Sequence, residues 1–144
     1  MKKVFPRLLS VVVLALALLV TGCAQKKQEA IKIGYLAHIT GDAAVWGQAE
    51  VNGAKMAVEE INQAGGVLGR PLELVVYDGR GNAADSVNAV RRMLDQDKVV
   101  AVLGSNFSGV NIATAPVVEA AKVPQIGTFS TNPRVTVDEN GKVR

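Results

Sequence analysis

The sequence predicts an α/β fold built as a doubly wound parallel sheet. Short apolar runs alternate with segments of helical spacing, in the order strand, helix, strand, helix, strand, helix, strand. This alternation is typical of a parallel sheet with helices on both faces. The strand segments are almost continuously apolar, as expected of strands buried on both sides. Because four strands are few for such a sheet, we expect the chain of 144 residues to be an incomplete domain.

The first 23 residues are predicted to be a targeting segment. Three basic residues open it, and residues 8–20 are apolar apart from Ser10. A run of this length suits a secretory signal better than a membrane span, and an uncleaved anchor helix is the alternative. The Thr-Gly-Cys ending resembles the bacterial lipobox, so Cys23 is the predicted lipidation site and would tie the protein to a membrane surface. Residues 24–30, rich in Gln and Lys, suit a tether.

The composition excludes several classes of partner. Once the three basic residues of the targeting segment are set aside, basic and acidic residues balance at 13 each. A near-neutral chain without a basic stripe argues against nucleic-acid binding. Cys23 is the sole cysteine and His38 the sole histidine, so neither an internal disulfide nor a metal cluster is expected, and no cofactor is implied.

Periodicity and turn residues set the expected elements. We expect strands at residues 31–37, 72–78, 99–103 and 125–129, and helices at 48–64, 83–97 and 108–121. Asn82 is the expected N-cap of the second helix. Gly65 and Gly66 end the first helix, and residues 138–142 predict a hairpin turn.

Four turns are expected at the carboxyl edge of the sheet, where parallel sheets bind ligands. They are residues 38–47, 79–82, 104–109 and 129–133. The 104–109 turn precedes a helix whose predicted apolar stripe is Val110, Ala113, Val117 and Ala120. The free N–H groups and partial positive charge of that helix start suit an anion, and Ser108 is the expected N-cap.

Enzymatic motifs are incomplete. Gly104 and Gly109 have P-loop spacing, but Val110 and Asn111 stand where Lys and Ser or Thr are needed. The G-x-G-x-x-A match at residues 79–84 follows the second strand and lacks its acidic partner, so it is weak evidence of a dinucleotide site. No G-x-S-x-G nucleophile elbow exists.

Three further residues lie in or next to the predicted turns at this edge. We expect His38 to be a loop residue and not a base, and Asp78 to cap the 79–82 turn. Trp46, the sole tryptophan, either covers the core or forms an apolar wall against a ligand. No assembled nucleophile and base is found, so we do not expect an enzyme.

Several short motifs together carry a family resemblance. They are Ile31-Lys32-Ile33-Gly34, Thr40-Gly41, Trp46-Gly47, Asn52-Gly53-Ala54, the run from Glu60 to Gly66, Tyr77-Asp78 and Thr131-Asn132-Pro133. In these motifs, from Ile31 to about Thr136, the chain resembles the N-terminal lobe of the branched-chain amino-acid-binding proteins, which are type I periplasmic binding proteins of ABC importers. Residues 31–144 would then be a truncated N-terminal lobe.

The resemblance implies a clamshell that closes on a free amino acid. Ser108 matches the serine that binds the ligand carboxylate, and Thr131 matches the hydroxyl that helps to hold the ammonium. The backbone carbonyl of Phe129 matches the partner of that hydroxyl, and Trp46 matches an aromatic residue lining the pocket. Phe129 replaces a residue that is small in the family, and the cysteines that pair in some members are absent.

These expectations define the predicted function. The chain would belong to a lipid-anchored, extracytoplasmic receptor that passes a branched-chain or similar amino acid to an ABC permease, without catalysis. It would face the periplasm in a Gram-negative cell or the outer face of a Gram-positive membrane. The alternatives are a sensory domain that signals ligand closure, or a receptor for amides, urea or small carboxylates.

Overall fold

The computed structural model describes residues 28–144. The predicted signal peptide, its lipidation site Cys23 and most of the 24–30 tether lie outside this part of the chain. None of the helices in residues 28–144 combines the length and the apolar character that crossing a bilayer requires.

The elements follow the predicted alternation. They are β1 (Ile31–Ala37), α1 (Ala44–Gln63), β2 (Leu72–Asp78), α2 (Ala83–Arg92), β3 (Ala101–Leu103), α3 (Ser108–Ala121) and β4 (Gln125–Ile126). A π-helical turn at Met93–Asp97 continues α2, and a 3-10 turn, Pro133–Val135, follows β4. The cap of α2 is confirmed, because the Asn82 side chain accepts the Asp85 N–H at 2.8 Å. The hairpin turn is confirmed by the Asp138 N–H, which donates to the Lys142 carbonyl at 2.8 Å.

The strands form one parallel sheet in the order β2-β1-β3-β4. In its register Ala37 lies opposite Asp78 and Tyr35 lies opposite Leu103. The carboxyl ends of β1, β2 and β3 therefore lie at one edge. The predicted parallel sheet is confirmed.

Helices cover both faces of the sheet, which confirms the doubly wound arrangement. Successive residues of β1 point to opposite faces, as the period of a strand requires. Leu36 packs in a buried cluster with residues of α2 and α3, including Val90 and Val110. Tyr35 and Ala37 pack in a second cluster with Val51 of α1.

Three predicted boundaries are wrong. The first helix begins at Ala44 instead of residue 48, so its first turn contains Trp46. The third strand begins at Ala101 instead of residue 99 because the Val99 N–H turns back to the Met93 carbonyl. The fourth strand ends at Ile126 instead of residue 129, because the chain bends at Thr128 and Phe129.

Ser108 is not the N-cap of its helix. Phe107 takes that position, with an extended backbone and a carbonyl that accepts the Val110 and Asn111 N–H groups. The predicted stripe of α3 is also displaced. The buried residues are Val110, Asn111, Thr114, Ala115 and Val118. A pattern of apolar residues cannot place this face, because two of its members are polar.

Candidate functional site

The loops after β1, β2 and β3 meet at the carboxyl edge of the sheet. The Gly79 N–H donates to the Ala37 carbonyl at 2.7 Å, so the loops after β1 and β2 start side by side. The turn after β3 approaches from the other side of β1. In a parallel sheet this edge is the usual place for a ligand.

His38 joins these loops from a fully buried position. The Gly81 N–H donates to Nδ1 at 2.9 Å, so Nδ1 carries no proton. Nε2 therefore carries it and donates to Ser105 Oγ at 2.9 Å. The Phe107 ring stacks on the imidazole, with ring centroids 4.7 Å apart. Burial lowers the pKa of His38, against the opposing effect of the Asp78 carboxylate, so the ring is neutral at pH 7.

Asp78 is a cap for two loops. Its carboxylate accepts the Ile39 N–H at 3.2 Å, the Thr40 hydroxyl, and the Arg80 N–H at 2.9 Å. Burial raises the pKa of Asp78, but these hydrogen bonds outweigh it and hold the pKa below its usual value. Asp78 therefore caps the 79–82 turn as predicted. Within residues 28–144, no group of three or more His, Cys, Asp and Glu side chains could hold a metal ion.

Asn111 clamps the turn after β3 from the side of α3. Its Oδ1 accepts the Ser105 N–H at 2.7 Å, and its Nδ2 donates to the Ser105 carbonyl at 2.8 Å and to the Ser130 hydroxyl. Gln125 of β4 completes the clamp by donating to Asn111 Oδ1 at 2.9 Å and to the Gly104 carbonyl at 3.0 Å. The amide of Asn111 thus fixes the approach to α3 and ties it to the turn after β4.

The start of α3 presents unused donors to this edge. The carbonyl of Phe107 accepts the N–H groups of Val110 and Asn111, whereas those of Ser108 and Gly109 have no partner within the described residues. Unpaired N–H groups are expected in the first turn of a helix. We call these two N–H groups, together with Ser108 Oγ, the α3 seat.

The Ser108 side chain joins the α3 seat to the turn after β4. Its Oγ accepts the backbone N–H groups of Thr131 and Asn132 at 3.2 and 3.3 Å. Both bonds use lone pairs of the oxygen, so the hydroxyl proton is left to donate. The structure therefore brings two of the predicted site residues, Ser108 and Thr131, into direct contact.

Trp46 and Phe129 lie at the same edge with their rings open to solvent, 68% and 67% exposed. Glu50 follows Trp46 by one helical turn, so the two share a face of α1. The Glu50 carboxylate accepts the Thr128 hydroxyl at 3.4 Å, next to Phe129. Trp46 therefore stands on the side of α1 that faces the turn carrying Phe129, and the two rings are free to line a ligand. Trp46 does not cover the core.

A groove of about 600 Å³ lies elsewhere, between α3 and the segment from Val123 to Thr136. Val118, Val123 and Ile126 contribute apolar wall to it. Of the four predicted ligand residues only Thr131 borders this groove. Its size alone does not make it the site, because the unused donors of the α3 seat lie outside it.

Sequence reasoning missed the residues that hold the edge together. His38, Asn111 and Gln125 each make hydrogen bonds to two other segments of the chain. One signal was available for His38, since a histidine placed directly after a buried strand sits at the ligand edge. No local signal marks Asn111 or Gln125, because their partners come from distant parts of the chain.

Comparison with known proteins identifies the family of this chain. The family model described as "Periplasmic binding protein" matches residues 30–142. The "Leu/Ile/Val-binding protein homolog 7" of Brucella abortus is 37% identical over 116 residues, which are 78% of this chain and 28% of that protein. The chain thus spans under a third of the length of such relatives.

Solved structures agree with the fold. The branched-chain amino acid substrate-binding protein LivJ of Streptococcus pneumoniae, solved in complex with isoleucine, matches with a TM-score of 0.72 and 36% identity, covering 75% of this chain and 31% of that chain. A solute-binding protein of an ABC transporter from R. palustris, in complex with 4-hydroxybenzoate, matches with a TM-score of 0.65 and 27% identity. The match covers 75% of this chain and 29% of that chain. Both are binding proteins by description.

Proposed function

The chain belongs to the periplasmic binding protein family, and from that premise we propose that it is the N-terminal lobe of a receptor for a small carboxylate. The preferred ligand is a free aliphatic amino acid. The observation that carries the proposal is the α3 seat, which offers two unused backbone N–H groups and a hydroxyl proton at one helix start.

A carboxylate fits the α3 seat because its charge and its hydrogen bonding are both satisfied there. The start of a helix carries partial positive charge, which favours an anion. Hydrogen bonds from N–H and O–H donors to an ionised oxygen are roughly twice as strong as neutral ones. Phosphate is the poorer guest, because Val110 and Asn111 stand where a P-loop has its Lys and Ser or Thr. Neutral amides and urea would make the same contacts without the charge.

The turn after β4 supplies the oxygens that an ammonium needs. The Thr131 hydroxyl and the Phe129 carbonyl are proposed to hold the amino group. Both lie in the turn that Ser108, the proposed carboxylate contact, joins to α3. Trp46 and the Phe129 ring are proposed to line the side chain of the ligand, since both are exposed at this edge. The resemblance to isoleucine-binding LivJ supports this assignment.

Membership of the family supports a role in delivery to a transporter. We propose that the receptor works outside the cytoplasm and passes its ligand to the permease of an ABC importer. Cys23 is the proposed lipid attachment site, because it ends a basic, apolar and small-residue segment in the order of a lipoprotein signal. Cells are treated with globomycin and the mass of the protein is measured. A shift in that mass would support the attachment.

A second ligand class is favoured by one comparison. The R. palustris relative of known structure holds 4-hydroxybenzoate, an aromatic acid without an ammonium group. Phe129 stands at a position where the resemblance to the family implies a small residue, and its ring enlarges the aromatic surface. An aromatic surface suits a ligand with a flat ring. Both ligand classes share the carboxylate, so the α3 seat serves either.

A panel of compounds tests the proposal on the full-length product of the gene. L-leucine, L-isoleucine, L-valine, 4-hydroxybenzoate, acetamide and urea are added separately while the melting temperature is followed. We expect at least one carboxylate to raise the melting temperature in proportion to the logarithm of its concentration, and the two neutral compounds to leave it unchanged. Stabilisation by acetamide or urea alone would overturn the carboxylate assignment.

A further inference from the structure

We propose that His38 is a positioning residue for the α3 seat, acting through the Ser105 hydroxyl and the backbone of Phe107. This inference rests on the proposed function, because it concerns how the carboxylate contact is held in place. His38 itself is fully buried and lies before the first helix, so it is not offered as a residue that touches the ligand.

The path from His38 to the α3 seat is short and continuous. Nε2–H donates to Ser105 Oγ at 2.9 Å, and the same oxygen accepts the Phe107 N–H at 2.9 Å. Phe107 is the N-cap of α3, so its position sets the direction of the N–H groups of Ser108 and Gly109. The Phe107 ring also stacks on the imidazole. His38 therefore holds Phe107 at two points, through its ring and through its backbone.

The neutral Nε2–H tautomer is the one form of His38 that fits both hydrogen bonds. The Gly81 N–H faces Nδ1 as a donor, so protonation at Nδ1 would set two donors against each other. The Asp78 carboxylate, at the end of β2, is the charged group that acts on the imidazole. The turn after β3 faces it with the uncharged Ser105 and Phe107, and α2 places Ser86 near its Cε1 side.

Two substitutions separate the two hydrogen bonds of His38. In His38→Gln the terminal amide nitrogen replaces Nε2, so the bond to Ser105 is kept and the acceptor for Gly81 is lost. In His38→Asn the side-chain oxygen replaces Nδ1, so the acceptor for Gly81 is kept and the bond to Ser105 is lost. If His38 acts through Ser105, the two variants must differ at α3 even when their overall stability is similar.

Hydrogen exchange of individual amides in the full-length product of the gene gives the test without any ligand. The reporting amides are those of Phe107, Val110 and Asn111, whose hydrogen bonds define the start of α3. Amides of β1, such as Leu36, correct for global unfolding. After this correction we expect exchange at Phe107 to be about tenfold faster in His38→Asn than in the wild type, as expected from loss of one neutral hydrogen bond. In His38→Gln it should stay within about threefold.

Acidification supplies a readout that a purely structural role would not move. As the pH falls from 7 to 5, exchange at Phe107 in the wild type should rise relative to exchange in His38→Gln at the same pH, since glutamine does not titrate. Equal effects of the two variants, or no acid-dependent divergence, would overturn the positioning role.

Binding of L-isoleucine and 4-hydroxybenzoate is measured in parallel with the exchange. For whichever compound binds the wild type, His38→Asn should lower the affinity by about tenfold, whereas His38→Gln should keep the affinity within about threefold of the wild-type value. If neither compound nor any other carboxylate of the panel binds the wild type, the proposed function fails while the exchange data still decide whether His38 orders the start of α3. If the wild type binds and both variants bind equally well, the positioning role fails and the proposed function stands.

Discussion

Ser108 Oγ accepts the backbone N–H of Thr131 at 3.2 Å, so a single side chain joins the first residue of α3 to the turn after β4. These are the two residues proposed to hold opposite ends of a zwitterion. The spacing between the carboxylate and ammonium contacts is therefore set by this hydrogen bond. A change at Ser108 should affect both ends of the ligand.

Removal of the Ser108 hydroxyl should weaken binding without unfolding the protein. We expect Ser108→Ala to lower the affinity for the best carboxylate of the panel by 10- to 100-fold, from one charge-assisted hydrogen bond of roughly 1.5–3 kcal/mol. Isothermal titration of the full-length protein measures it. Ser108→Thr keeps a hydroxyl and serves as the matched control. Unchanged affinity in a folded Ser108→Ala variant would remove Ser108 from the site.

The Asn111 amide should dominate the stability of the edge. It is 2% exposed and its four hydrogen bonds reach Ser105, Gln125 and Ser130. We expect Asn111→Ala to lower the free energy of unfolding by about 2–4 kcal/mol, since several buried partners lose their bonds at once. Urea denaturation measures this loss.

Asn52 provides the control for that substitution. It is an exposed asparagine in α1, so Asn52→Ala should change the free energy of unfolding by less than about 0.5 kcal/mol. Similar values for the two variants would mean that the network around Asn111 contributes little.

The sequence could predict the elements that local residues mark, but not the side chains, such as Asn111, whose partners are distant in the chain. Strand and helix alternation predicted the parallel sheet, and β1 and β2 agree to the residue, because buried strands and glycine turns are marked locally. The buried face of α3 was misplaced because Asn111 and Thr114 point inward to make hydrogen bonds. The role of Ser108 as a cap was wrong for a similar reason, since its partners lie in a turn 23 and 24 residues further on.

Two glycines of α1 should respond in opposite directions to alanine. A Cβ at Gly47 would overlap the backbone carbonyl of His38, whereas one at Gly53 would meet nothing within 4 Å. We expect Gly47→Ala to destabilise the protein by about 1–3 kcal/mol through overpacking. Gly53→Ala should stabilise it by up to about 1 kcal/mol, the usual gain in helix propensity.

Thermal unfolding of the two variants side by side checks this pair. Because both substitutions add one methyl group to the same helix, the comparison isolates the contact with His38. A stabilising Gly47→Ala would show that α1 does not pack against the loop after β1 in the way described.

Stability should fall on the acid side of neutrality because of His38. Its pKa in the folded protein lies below the ordinary value of 6.5, chiefly because the ring is buried. Between the folded pKa and the ordinary value, the unfolded chain therefore binds more protons than the folded protein. The contribution of His38 to the free energy of unfolding is complete above about pH 6.5 and is lost as the pH falls through the folded pKa. The lowered pKa of Asp78 adds a further loss near and below its ordinary value of 3.8.

Urea unfolding of the wild type and His38→Gln between pH 7.5 and 5 measures the histidine contribution. The free energy of unfolding of the wild type should decline over this range more steeply than that of the variant. Parallel curves would show that His38 does not titrate with folding.

A matched pair of compounds shows whether the start of α3 binds a carboxylate. Calorimetric titration of the full-length protein compares L-isoleucine with L-isoleucinamide, or 4-hydroxybenzoate with 4-hydroxybenzamide if the aromatic acid is the better ligand. We expect that replacing the carboxylate by an amide weakens binding by at least about 100-fold, because a charged acceptor for the α3 seat is lost. Equal affinity for the acid and its amide would show that the start of α3 does not bind a carboxylate.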